Sequence, residues 1–148
     1  MKIVIDTNVL LSTLFSKKGA SFKLVYWLLD KYKTNHQKFS VVSTPLIIEY
    51  EAVLMREENR EKYPNLSTLD IKEFIDGLCL ISYHQKINFM WRPFLKDLQD
   101  DMILEVAFNS GAKYIITYNI KDFKGVERNF NIKVITSKQF LQKIGEIK

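Results

Sequence analysis

Acidic residues stand at four places where apolar runs begin or end, and these are the residues whose types and spacing could do chemistry. Asp6 follows Ile3, Val4 and Ile5; Glu49 and Glu51 lie within the run Leu46 to Met55; Asp97, Asp100 and Asp101 precede Met102, Ile103 and Leu104; Thr117, Asn119 and Asp122 follow Tyr114, Ile115 and Ile116. Four or more carboxylates brought together without His or Cys partners call for a hard divalent cation, Mg²⁺ or Mn²⁺. Beside a phosphodiester, such a cation would polarise an oxygen and lower the pKa of an attacking water, and a second ion would stabilise the leaving oxygen. Other chemistries lack their residues. His36 and His84 are far apart and Cys79 is alone, which removes the usual zinc spacings, and the chain has no Ser/His/Asp arrangement or glycine-rich phosphate loop.

Each acid also has an ordinary role. Asp6 or Thr7 could cap the helix that begins with Val9, Leu10 and Leu11, and on this segment alone cap and catalytic group are evenly matched. Glu49 or Glu51 could form a surface pair with Arg56, and helical periodicity does not choose between the two glutamates. One of the three aspartates at 97 to 101 should cap the following helix. Three exceed that need, because the helix dipole favours a nearby anion by less than about 1 kcal/mol, so a cation explains the surplus better.

The elements that must position these acids can be read from pattern. Ile3–Ile5, Phe39–Val42, Tyr114–Thr117 and Ile132–Ile135 are short aliphatic strands without polar alternation, as central parallel strands are. Helical spacing runs through Phe22 to Tyr32, from Leu46 to about Arg56 after the start signal Ser43-Thr44-Pro45, and from Met102 to the stop at Gly111. The second of these is apolar almost all round and is expected to be largely buried. A capping box at Ser67 to Asp70 opens a helix with Leu69, Phe74, Ile75 and Leu78 on its apolar face, and Thr136 with Gln139 opens the last helix. Cys79 to Tyr83 reads as helix or strand, and Ile87, Phe89 and Trp91 suggest a short extended segment. Strands alternating with helices predict a three-layer α/β/α fold around a mostly parallel sheet, with ligands beyond the carboxyl ends of the strands.

The 148 residues fit one domain, and 47% hydrophobic content fits a compact fold. No apolar stretch approaches a membrane span and nothing reads as a signal peptide, so a cytoplasmic protein without a membrane partner is expected. A net charge of +5 and a pI near 9.2 lean toward a polyanionic partner. Basic residues gather at Lys17, Lys18 and Lys23, at Lys31, Lys33 and Lys38, and at Lys86, Arg92 and Lys96, apart from the acids.

Ile3-Val-Ile-Asp6-Thr7-Asn8-Val9-Leu10, then Ser43 to Leu54 with Glu49 and Tyr50, then Asp97 to Ala107, and finally Ala112 to Phe123 together resemble the PIN-domain family over nearly the whole chain. The branch it is most similar to comprises toxins of toxin–antitoxin systems, like the VapC nucleases. The resemblance implies a single PIN-like domain over residues 1–148, a Mg²⁺- or Mn²⁺-dependent endoribonuclease, an RNA substrate and a cognate antitoxin; a homodimer stays open. It implies that Asp6, Glu49 and Asp101 are the core acids, with Asn8 and Thr117 beside them, and it favours Glu49 over Glu51 through the Ser43, Leu46, Glu49 pattern. Many members carry Asp two residues after the threonine. Here Asn119 stands there, and Asp122 or Asn119 fills the fourth position, with Asp122 the choice for the metal set and Asp100 a helix cap first and a ligand second. Two other readings remain in view: a PIN-like module that binds nucleic acid or a partner with weakened catalysis, and a phosphatase using Asp6 as nucleophile, which lacks the second acid usually placed two residues on.

Overall fold

Strand β1 (Ile3–Ile5) has all three side chains buried and lies against β4 (Tyr114–Ile116), which lies in turn against β5 (Lys133–Ile135). The pairs are parallel and in register: Ile3 faces Tyr114, and Tyr114 faces Lys133. A second parallel pair, β2 (Val41–Val42) and β3 (Tyr83–His84), joins this sheet through a parallel bridge between Ile3 and Ser40, with the Ile3 N–H donating to the Phe39 carbonyl at 2.8 Å. This computed structural model describes residues 1–90 and 92–148; Trp91, expected in the extended segment with Ile87 and Phe89, lies outside the described residues.

Helices α1 (Thr7–Phe15), α2 (Ala20–Asn35), α3 (Thr44–Leu54), α4 (Glu57–Arg60), α5 (Thr68–Leu80), α6 (Leu98–Ser110), α7 (Val126–Phe130) and α8 (Ser137–Lys143) complete the three-layer α/β/α arrangement. Helix α6 packs on β1, β2 and β4, α3 packs on α1 and α5, and α8 packs on α2. Strands β1, β2 and β4 are buried throughout because helices cover them, which is why their sequences are apolar runs, whereas both residues of β3 are exposed. Starts and stops follow the sequence signals. Ser43 Oγ accepts from the Leu46 N–H, both predicted capping boxes are formed, and Gly111 closes α6 with φ +69°. That left-handed conformation suits glycine, which has no Cβ to clash.

Two expectations are corrected, and one open alternative is resolved. Helix α3 is not largely buried: Ile48 is 64% exposed, and Glu51 and Ala52 face solvent, so only its Leu46, Tyr50, Val53 and Leu54 stripe enters the core. The buried face of α5 is Ile71, Ile75 and Leu78, with Phe74 partly buried beside it, and Leu69 is exposed because it lies two residues, about 200°, from Ile71 around the helix. Cys79 to Tyr83 serves both elements, ending α5 at Leu80 and starting β3 at Tyr83.

Candidate active site

Asp6 is the N-cap of α1 and also the centre of a polar cluster. Its Oδ1 accepts from the Thr7 N–H at 2.8 Å, while its Oδ2 accepts from Thr117 Oγ1 at 2.8 Å and from Asn8 Nδ2 at 3.2 Å. Asn8 Oδ1 in turn accepts from the Tyr118 N–H at 3.3 Å, and Thr117 Oγ1 accepts from the Asn119 N–H at 3.0 Å. Register explains the meeting. With β1 and β4 side by side and the Asp6 N–H donating to the Ile116 carbonyl, the residues that follow both strands emerge at the same sheet edge. Burial drives the Asp6 pKa above its ordinary value, the Thr117 and Thr7 hydrogen bonds oppose that rise, and the Asp122 and Asp97 carboxylates add to it.

The first turn of α6 divides the labour of its three acids. Asp97 is the cap, accepting from the Gln99 N–H at 2.8 Å. Asp101 is 1% exposed, and its Oδ1 accepts from the Phe94 N–H at 3.3 Å and the Leu95 N–H at 2.8 Å, which ties the preceding loop to the helix. Asp100, expected first as a cap, instead shares a cleft of about 540 Å³ with Asp97 and Asp122, lined further by Phe94, Leu95, Lys96, Lys121 and Lys124. Its pKa is pushed from 3.8 to about 7 by burial first and then by the charges of Asp6, Asp97, Asp122 and Asp101. Asp6, Asp97, Asp100 and Asp122 therefore act on one another electrostatically. Asp122 comes from the 3₁₀ turn Ile120–Phe123 and is exposed.

Glu49 sits on α3 beside Tyr50, whose hydroxyl donates to the Ile5 carbonyl and so presses the helix onto the end of β1. Its Oε1 is buried without a hydrogen-bond partner, as is Asp101 Oδ2. Neither Glu49 nor Glu51 pairs with Arg56: among the described residues the single ion pair joins Arg92 to Glu105, with two contacts of 2.7 Å. Arg92 is thereby withdrawn from the basic surround expected of it. Lys121 and Lys124 take that place, and their position on either side of Asp122 in the sequence was a readable signal.

Among the described residues, no three His, Cys, Asp or Glu side chains are gathered so as to hold a metal ion as they stand. The donor chemistry nevertheless fits a hard cation. The donors are all oxygens, Glu49 Oε1 is buried without a hydrogen-bond partner, and the Asp100 pKa is raised first by burial and then by four neighbouring carboxylates, whose repulsion a cation relieves.

The fold is a parallel α/β sheet with Asp6 at the end of β1 and, close by, a lysine-rimmed cleft that holds Asp97, Asp100 and Asp122. The chain belongs to the PIN domain family, which matches residues 2–121 and whose members are typically nucleases that bind divalent metals. The match ends one residue before Asp122. No curated protein matches the chain.

Proposed function

We propose that the protein is a metal-dependent endoribonuclease that hydrolyses RNA phosphodiester bonds. The observation that carries this reading is that Asp100 of α6 and Asp122 of the 3₁₀ turn after β4 line one cleft with Lys96, Lys121 and Lys124 and lie close enough to Asp6, at the end of β1, for their charges to act on it and on one another. Asp6, Asp100 and Asp122 would hold Mg²⁺ or Mn²⁺, with Glu49 as a fourth carboxylate. When bound, the cation supplies charge neutralisation at the phosphodiester and acidifies a water. The chain's own groups do the rest. Thr117 and Asn8 fix the Asp6 carboxylate, Asp101 braces the loop that carries Leu95, and the lysines attract and seat the phosphate backbone. In this reading Asp100 joins the expected set, while Asp101, one of the expected ligands, serves first as a brace through Oδ1 and keeps an unpartnered Oδ2. RNA cleavage with Mn²⁺ should fall to background in Asp6→Asn; unchanged activity would sink the assigned site.

The similarity to toxin nucleases supports a further step: a toxin held inactive by a cognate antitoxin, acting in the cytoplasm as a single PIN-like domain. Growth arrest on expression of the wild type, absent with Asp6→Asn, is the expected result. Asn119 favours one competing reading, a binding module with weakened catalysis, because many PIN domains carry Asp there. Salt-dependent RNA binding without metal-stimulated cleavage would establish it.

A further inference from the structure

Tyr118 follows Thr117 out of β4 and is held at both ends. Its N–H donates to Asn8 Oδ1 at 3.3 Å, so its Cα is fixed relative to the Asp6 cluster. Its hydroxyl lies 2.5 Å from Ser21 Oγ and 3.4 Å from Ser12 Oγ, and Ser21 Oγ continues to Ser137 Oγ at 3.1 Å. Ser21 and Ser137 are fully buried, so the polar tip of the ring is sunk into α2 and α8. Yet Tyr118 is 44% exposed. No other ring among the described residues packs on it. The ring is rigid, partly solvent-facing and one residue from the threonine that bonds Asp6.

We infer that Tyr118 is the stacking platform for one unpaired base of the substrate strand, which sets the strand's position against the carboxylates. This rests on the nuclease reading above. A ring already immobilised loses little side-chain entropy when a base settles on it, and every base offers a π-face, so the contact selects an unstacked nucleotide rather than a sequence. Phosphates on Lys96, Lys121 and Lys124 supply attraction and backbone register but accept paired and unpaired strands alike; the stacked base adds the requirement for an unstacked nucleotide at one place. A paired base cannot reach the ring, so cleavage falls in single strands and loops.

The test couples the ring to one nucleotide. In an Asp6→Asn background, binding of a short unstructured RNA is measured by fluorescence anisotropy, with a single abasic nucleotide moved along the strand. One abasic position should weaken binding by about tenfold or more. Tyr118→Ala and Tyr118→Leu should weaken the intact RNA similarly and no longer respond at that position, while Tyr118→Phe, which keeps the ring and loses its anchor, keeps the response at lower affinity than the parent. The leucine variant and thermal melts guard against a folding defect in the alanine variant. A response that persists in both Tyr118→Ala and Tyr118→Leu, or no responsive position in the parent, overturns the inference. Cleavage of the same RNA by the wild type with Mn²⁺ is scored separately: its absence defeats the nuclease reading, whereas cleavage without abasic coupling defeats only the role of Tyr118.

Discussion

Thr117 Oγ1 donates a 2.8 Å hydrogen bond to Asp6 Oδ2 across 111 residues of chain. The bond crosses the end of the sheet where β1 and β4 finish in register, and it opposes the rise that burial imposes on the Asp6 pKa. A short side-chain contact therefore sets both the place and the charge of the central acid.

Replacing Thr117 by Val should remove that opposition. The Asp6 pKa, already raised, should rise further, so the acid limb of the pH–rate profile moves to higher pH. Loss of a hydrogen bond to a buried carboxylate costs about 1–3 kcal/mol of stability. Activity should fall by about 10- to 100-fold, as for other groups that orient metal-binding carboxylates. Thr117→Ser restores the hydroxyl and should restore the profile; a serine variant as impaired as the valine one would contradict the assigned bond.

Asp100 links proton and cation binding. Its pKa of about 7 in the fold exceeds the ordinary 3.8, so its contribution to stability is full below about pH 3.8 and is lost as pH rises through about 7. The groups acting on it are Asp6, Asp97, Asp122 and Asp101, and Lys96, Lys121 and Lys124 line the same cleft. Asp100→Asn should therefore raise the melting temperature of the metal-free protein at pH 8 by a few degrees, roughly the effect of 1 kcal/mol in a chain of this size, and change little at pH 4. Mn²⁺ affinity of the wild type should climb with pH toward about 7, and the variant should lose that slope. A wild type whose Mn²⁺ affinity ignores pH across this range would refute the linkage.

Much of this site was legible in the sequence because its acids punctuate apolar runs. Asp6 looked like a choice between helix cap and catalytic acid; with two carboxylate oxygens it does both, Oδ1 capping α1 and Oδ2 meeting Thr117 and Asn8. The strands and caps were legible for the same local reasons. The roles of Asp97, Asp100 and Asp101 were not, since adjacent residues on a helix diverge by about 100° and only the packed α6 shows which one faces the cleft. Arg92 could not be subtracted from the basic surround without knowing that Glu105, thirteen residues on, is buried against it.

Asp101 and Asp100 should separate cleanly. Asp101→Asn keeps an oxygen that can accept from the Phe94 and Leu95 N–H groups, so fold and activity should survive within about tenfold, whereas Asp101→Ala orphans two donors at a cost of about 1–3 kcal/mol each. Asp100→Asn should cost about 100-fold or more in kcat. Circular-dichroism melts and cleavage rates measured together check this. The reverse order of the two asparagine variants would return Asp101 to the ligand set.

The fourth acidic position can be moved. Asn119 is exposed, and its N–H rests on Thr117 Oγ1, so its backbone lies beside the Asp6 cluster. Asp122 is one 3₁₀ turn on, its N–H donating to the Asn119 carbonyl at 3.0 Å. Asp122→Asn should weaken Mn²⁺ binding by about tenfold or more, since losing a ligand costs at least as much as losing a group that orients one. Adding Asn119→Asp should recover most of that loss, because the new carboxylate arises from the same turn and joins the same field. Calorimetric titration of Mn²⁺ into the wild type, the single variant and the double variant measures the exchange. If the double variant binds no better than Asp122→Asn alone, position 119 is closed to the cation, and Asp122 holds a place that no neighbour can fill.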